Sequence, residues 1–119
     1  MGVGEADAPA RVVRELVEMA DLFAWSRGLR SVVIGLDPFE LAANHARMLR
    51  ETQYHGRRGL GVHAISAVDM ALHDLAGKQL GRPAYQLIGG ACRTTIRPYA
   101  TIWPGSPNER TIGEADSTS

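Results

Sequence analysis

The stretch from Gly61 to Leu80 constrains this chain more than any other, because its apolar residues recur at helical spacing without a break. Val62, Ile65, Val68, Leu72 and Leu75 trace one stripe at intervals of three and four, which predicts a helix over 61–80. Ala64, Ala67, Ala71 and Ala76 are small enough to let neighbouring elements approach closely, and Asp74 and Lys78 form an acid-then-base pair one turn apart. Gly81 supplies a C-cap signal, Pro83 opens a short helix through Ile88, and Gly89-Gly90 breaks the chain.

The segments before it read as partners for that helix. Gly2-Val3-Gly4-Glu5 is the end of a strand or a turn, and Asp7 with Pro9 marks a helix start. Val12, Val13, Leu16, Met19, Ala20 and Phe23 predict a helix from Arg11 to about Trp25, ended by Gly28. Val32-Val33-Ile34 is a β-branched run compatible with a strand, yet it leads directly into a second helix start. There Asp37 is expected to cap, Pro38 to take the first position and Glu40 to complete a capping box. That helix runs to about Glu51, with Asn44, Arg47 and Arg50 on its polar face. Tyr54 to Gly59 is a loop. Thr94 to Trp103 is rich in β-branched and aromatic residues and reads as a strand, although Pro98 interrupts it. Gly105 to Ser119 loses apolar periodicity and reads as a disordered tail.

With 119 residues, the chain has room for one modest core and not for a two-domain enzyme. Thirteen basic residues balance thirteen acidic ones, so no basic footprint for nucleic acid is present. Cys92 is the sole cysteine, which excludes an internal disulfide and a multi-cysteine zinc site and suits a reducing compartment; the cytoplasm is the expected location. No apolar run approaches the ~18 residues needed to cross a bilayer, and Met1 to Pro9 carries no export signal.

Ala64 through Lys78 (Ala-Ile-Ser-Ala-Val-Asp-Met-Ala-Leu-His-Asp-Leu-Ala-Gly-Lys), continued by Pro83, Leu87 and Gly89-Gly90, resembles the signature helix of the mandelate racemase and muconate lactonizing enzyme family of the enolase superfamily. Gly2 to Glu5 looks like the end of that family's N-terminal sheet, and Ile34 to Pro38 like the start of a capping-domain helix. Tyr54 to Gly59, with its paired arginines, looks closest to acid-sugar dehydratases such as those acting on mannonate or gluconate. The resemblance implies an α+β chain with three parts: a partial, mainly helical capping domain (1–90), the first strand of a truncated (β/α) barrel (91–104) and the tail (105–119). It also implies a parent that abstracts a proton next to a carboxylate, with Mg2+ held by barrel carboxylates and a lysine or histidine base. The parent's partners would be its own barrel domain, a sugar-acid or other carboxylate substrate, and further copies of itself in a homo-oligomer. Because those catalytic positions lie beyond the first barrel strand, no catalytic, cofactor-binding or metal residue is expected here, and the chain reads as an inactive piece truncated at both ends.

The residues themselves offer several candidates, each with a plain structural alternative. Asp69 and His73 share one helical face and, with Asp74, suggest a metal site; packing and hydrogen bonding are the simpler account. Arg57 and Arg58 suit bidentate recognition of a sugar acid, or solvated loop charges. His45, His55 and His63 have surface or packing readings. Gly89-Gly90 lacks any phosphate-loop pattern and reads as a hinge, and Cys92, beside Arg93, lacks an activating pattern. Two rival functions follow: a stand-alone helical interaction module, in which 94–103 packs onto the helices, and a small metal-binding protein built on Asp69, His73 and Asp74.

Overall fold

A computed structural model describes residues 1–100. Five helices follow in order: α1 (Ala10–Glu18), α2 (Leu29–Val33), α3 (Leu41–Glu51), α4 (Leu60–Leu80) and α5 (Ala84–Leu87). The long α4 is central, with α1, α3 and α5 packed around it and α2 bridging α1 and α3. That arrangement covers α4 on more than one side, and its buried residues Gly61, Ala64, Ile65, Leu72, Ala76 and Gly77 occupy more than a single stripe. The core joins Ile65, Ala64 and Leu72 of α4 to Met48 of α3 and to Leu29 and Val32 of α2. Each large apolar side chain buried there contributes about 1.5–3 kcal/mol of transfer free energy.

Residues 1–8 lie extended along α4, and their exposure alternates. Gly2, Gly4, Ala6 and Ala8 are half-buried, while Met1, Val3, Glu5 and Asp7 face out. A Cβ on Gly2 would collide with the Ala71 carbonyl, and one on Gly4 with the Ala67 carbonyl, so only glycine permits this approach. The small residues of α4 anticipated from the sequence therefore serve a specific neighbour.

Several expectations change in detail. The first helix stops at Glu18 rather than near Trp25, because Asp21 turns its carboxylate onto the Gly28 N–H (2.8 Å) and the Ser31 hydroxyl, drawing the chain away from helical geometry. Val32 and Val33 are helical, not extended, and Val32 is buried against α3. The helix start at Asp37 is displaced to Leu41. Asp37 Oδ1 accepts the Phe39 N–H (2.9 Å) and its carbonyl accepts the Glu40 N–H, which forms a turn, and no side chain caps α3. Asn44, expected on a polar face, is 3% exposed because its amide donates to the Asp37 carbonyl at 2.7 Å. Gly81 ends α4 in the left-handed conformation, as the sequence indicates, and α5 follows Pro83.

The α+β expectation is met in its helical part only. Among the described residues there is no strand beyond the isolated Phe23–Ser26 bridge. Residues 94–100 are exposed and unpaired, since a strand needs a neighbour to complete its hydrogen bonds. The rest of the anticipated barrel strand and the anticipated tail lie outside the described residues.

Candidate functional site

Two clusters of chemistry-bearing side chains form on this scaffold. The first lies in a groove between α3 and α4, flanked by Leu41 and Ala42 and by Leu87 and Ile88 near α5. Asp69 on α4 sits between two imidazoles. Its Oδ1 lies 3.3 Å from His45 Nδ1, and its Oδ2 lies 3.5 Å from His73 Nδ1. His73 Nδ1 is closer still to the Asp69 carbonyl, at 2.9 Å, the one-turn spacing that the sequence indicates. Asp69 Oδ1 is buried without a hydrogen bond. His45 is the member that sequence reasoning could not place, because its approach depends on how α3 crosses α4.

Asp74 is not part of that cluster. It points to the extended N-terminal segment, where Oδ2 accepts the Val3 N–H at 2.7 Å and the Lys78 ammonium at 2.6 Å. Lys78 also donates to the Met1 carbonyl at 3.2 Å, so the pair ties residues 1–3 to α4. These hydrogen bonds, chiefly the one from Lys78, hold the Asp74 carboxyl below its ordinary value. The candidate metal trio of Asp69, His73 and Asp74, for which packing is the simpler account, is thus split. Among the described residues, no three His, Cys, Asp or Glu side chains are arranged to hold a metal ion.

The second cluster is the 54–58 loop. Arg57 and Arg58 are exposed and line an open pocket with Tyr54 and His55. The loop is folded tightly onto the end of α3. Thr52, 1% exposed, donates its hydroxyl to the Met48 carbonyl, and the Gly56 N–H donates to the Thr52 carbonyl at 2.6 Å. Gly59, at φ +59° and ψ −134°, turns the chain into α4 with a backbone closed to residues bearing a Cβ. Both ring nitrogens of His55 are buried without partners, and this desolvation pushes its pKa down. His63 is exposed on the first turn of α4, Cys92 is exposed, and Gly89 and Gly90 both take positive φ where the chain leaves α5.

Residues 1–89 match the model of the mandelate racemase / muconate lactonizing enzyme N-terminal domain. The chain belongs to this family. Among its relatives, it is 51% identical over 55 residues to an L-rhamnonate dehydratase of Saccharopolyspora erythraea, covering 46% of this chain and 14% of the relative. It is 39% identical over 72 residues to a D-gluconate dehydratase of Thermoproteus tenax, covering 60% of this chain and again 14% of the relative. A crystal structure of a candidate racemase superimposes with a TM-score of 0.78 at 42% identity, covering 90% of this chain and 28% of that one. The chain therefore spans a small part of the length of the enzymes it resembles, and the part it spans is the family's N-terminal domain. In that context α4 is the family's signature helix, and the Asp74–Lys78 pair on it holds the extended segment in place. No helix among the described residues is long and apolar enough to cross a membrane.

Proposed function

We propose that this chain is the capping-domain portion of an acid-sugar dehydratase, acting with a barrel that carries the chemistry. The observation that carries the reading is the family match over 1–89, together with dehydratases of two different sugar acids among its relatives. The parent reaction removes the proton next to the substrate carboxylate and expels the neighbouring hydroxyl, leaving an enol that tautomerises to a 2-keto-3-deoxy acid. A divalent ion such as Mg2+ supplies positive charge opposite the developing carboxylate-centred anion.

The described residues do not fit that ion. Mg2+ takes oxygen ligands in octahedral geometry, whereas the Asp69 cluster offers imidazole nitrogens on both sides of one carboxylate. The contribution of this chain is structural: α4 and its neighbours form a rigid body, and the hinge at Gly89-Gly90 delivers the chain to the segment beyond. On the same reading, the boundary between cap and barrel falls near residue 90, the intact protein is cytoplasmic, its partners are its own barrel and a sugar-acid substrate, and it assembles as a homo-oligomer.

A hybrid tests this directly. Residues 1–89 replace the matching segment of the Saccharopolyspora erythraea L-rhamnonate dehydratase, and L-rhamnonate dehydration is followed with Mg2+ present. A soluble hybrid that dehydrates L-rhamnonate is the expected result. A soluble, folded hybrid with no activity on L-rhamnonate or D-gluconate contradicts the reading.

A further inference from the structure

The groove between α3 and α4 holds a cluster of titratable groups that the capping-domain reading leaves unused. Asp69 Oδ1 lies 3.3 Å from His45 Nδ1 on α3, and Oδ2 lies 3.5 Å from His73 Nδ1, one turn along α4. The Asp69 carbonyl, 2.9 Å from the same His73 nitrogen, can only accept, so His73 Nδ1 carries a hydrogen and donates it there. His73 is thereby engaged within its own helix and does not bridge to α3. Asp69 Oδ1 is left buried without a hydrogen bond, a costly state for a carboxylate oxygen. His45 is the group placed to answer it. Among the described residues, His45 with Asp69 is also the only polar side-chain contact between α3 and α4; elsewhere the two helices meet through Met48, Ala64 and Ile65 of the core.

Among the described residues, no other titratable or charged side chain faces this cluster. The rest of the groove wall is Leu41 and Ala42 of α3, Leu87 of α5 and Ile88 just after it. The extended segment lies against Ala67 and Ala71, on the far side of α4, where Asp74 and Lys78 are engaged with it. No residue of α1 lines the groove, and its Arg14 and Glu18 pair with each other in solvent. A neutral imidazole has one N–H for two ring nitrogens, so the nitrogen facing Asp69 is protonated only part of the time. An imidazolium carries a hydrogen on both nitrogens, and its bond to a carboxylate is charge-assisted. We propose that His45 and Asp69 form a proton-operated clamp between α3 and α4, which closes as the pH falls into the mildly acidic range and releases as it rises. Closing gives the buried oxygen its missing donor. Because the folded chain holds that proton better than the unfolded one, the added stability is present at the lower pH and lost as the pH rises. The sign is opposite to that of His55, whose burial lowers stability in acid.

The clamp uses groups of these two helices alone and does not depend on the dehydratase reading. Hydrogen–deuterium exchange of the full chain tests it, read over α3 at about pH 5.5 and about pH 8, on either side of the imidazole range, and corrected for the intrinsic exchange rate at each pH. His45→Gln is the reference: the side chain it replaces is 45% exposed, and His55 is present in both proteins, so its effect cancels. Protection of α3 in wild type relative to His45→Gln is expected to be roughly threefold greater at the lower pH, the size of a half-exposed ion pair. Against the same reference, Asp69→Asn is expected to show no such pH dependence and His73→Gln to keep it. A wild-type ratio that is equal at the two pH values, or larger at the higher one, overturns the proposal. So does a pH dependence that survives in Asp69→Asn or disappears in His73→Gln, because the clamp then does not run through His45 and Asp69.

Discussion

Asp74 ties two parts of the chain together, since one carboxylate oxygen serves both Lys78 on its own helix and the Val3 N–H of the extended segment. Because hydrogen bonding lowers its pKa from 3.8, its contribution is present above that value and is lost as the pH falls below it. Asp74→Asn is therefore expected to speed hydrogen exchange at residues 1–8 at pH 7, and the difference from wild type is expected to shrink as the pH falls below 3.8. Gly4→Val should release the same segment at every pH, because its Cβ would overlap the Ala67 carbonyl; limited proteolysis near the N-terminus reads this out. His55 loses stability in the same direction, as pH falls, but for a different reason. Burial lowers its pKa from 6.5, so below that pH the unfolded chain takes up the proton first and the fold loses stability. The melting temperature of wild type is expected to fall relative to His55→Phe as pH drops below 6.5, and a constant difference would contradict the assignment. The Lys78 partner is legible in sequence as a one-turn pair, whereas the third partner, a backbone N–H 71 residues before Asp74, is not.

At the scale of elements, α4 was the most legible because its periodicity is long and its ends are marked by glycine, and Leu60–Leu80 matches the expected span within a residue. Shorter helices depend on contacts that a linear pattern does not hold. Asp21 ends α1 by bonding residues of α2, and Asp37 delays α3 by completing a turn instead of a cap. The pattern for 94–103 is strand-like, but no neighbouring strand accompanies the described part. The His45–Asp69–His73 cluster was half visible, as a one-turn pair, and its third member comes from helix crossing. Ile65, 1% exposed at the centre of the core, gives the element-scale prediction. Ile65→Ala is expected to destabilise by ~3 kcal/mol from lost burial and the cavity left behind. For a domain of this size, that lowers the melting temperature by more than about 10 °C, which calorimetry or circular dichroism can check. A shift under a few degrees would mean that α4 is not the centre of the core.

For the whole molecule, the family is carried by the fold and the signature helix together, and on the proposed reading the catalytic chemistry belongs to the barrel. Composition excluded nucleic-acid binding by charge and a multi-cysteine metal site, and the structure divides the remaining candidate trio between two faces of α4. What composition and periodicity left open was the choice among a cap, an interaction module and a small metal protein, because all three share a helical core with polar residues on its surface. The central claim is that the chain forms a folded cap without a catalyst. Its most direct test is to incubate the purified 119-residue chain with Mg2+ and either L-rhamnonate or D-gluconate and to assay for a 2-keto-3-deoxy acid. The expected result is a helical, cooperatively melting protein that forms no product. Product formation that follows the pure chain, with turnover abolished by Asp69→Asn or His73→Gln, would contradict the account and relocate the chemistry to the α3–α4 groove.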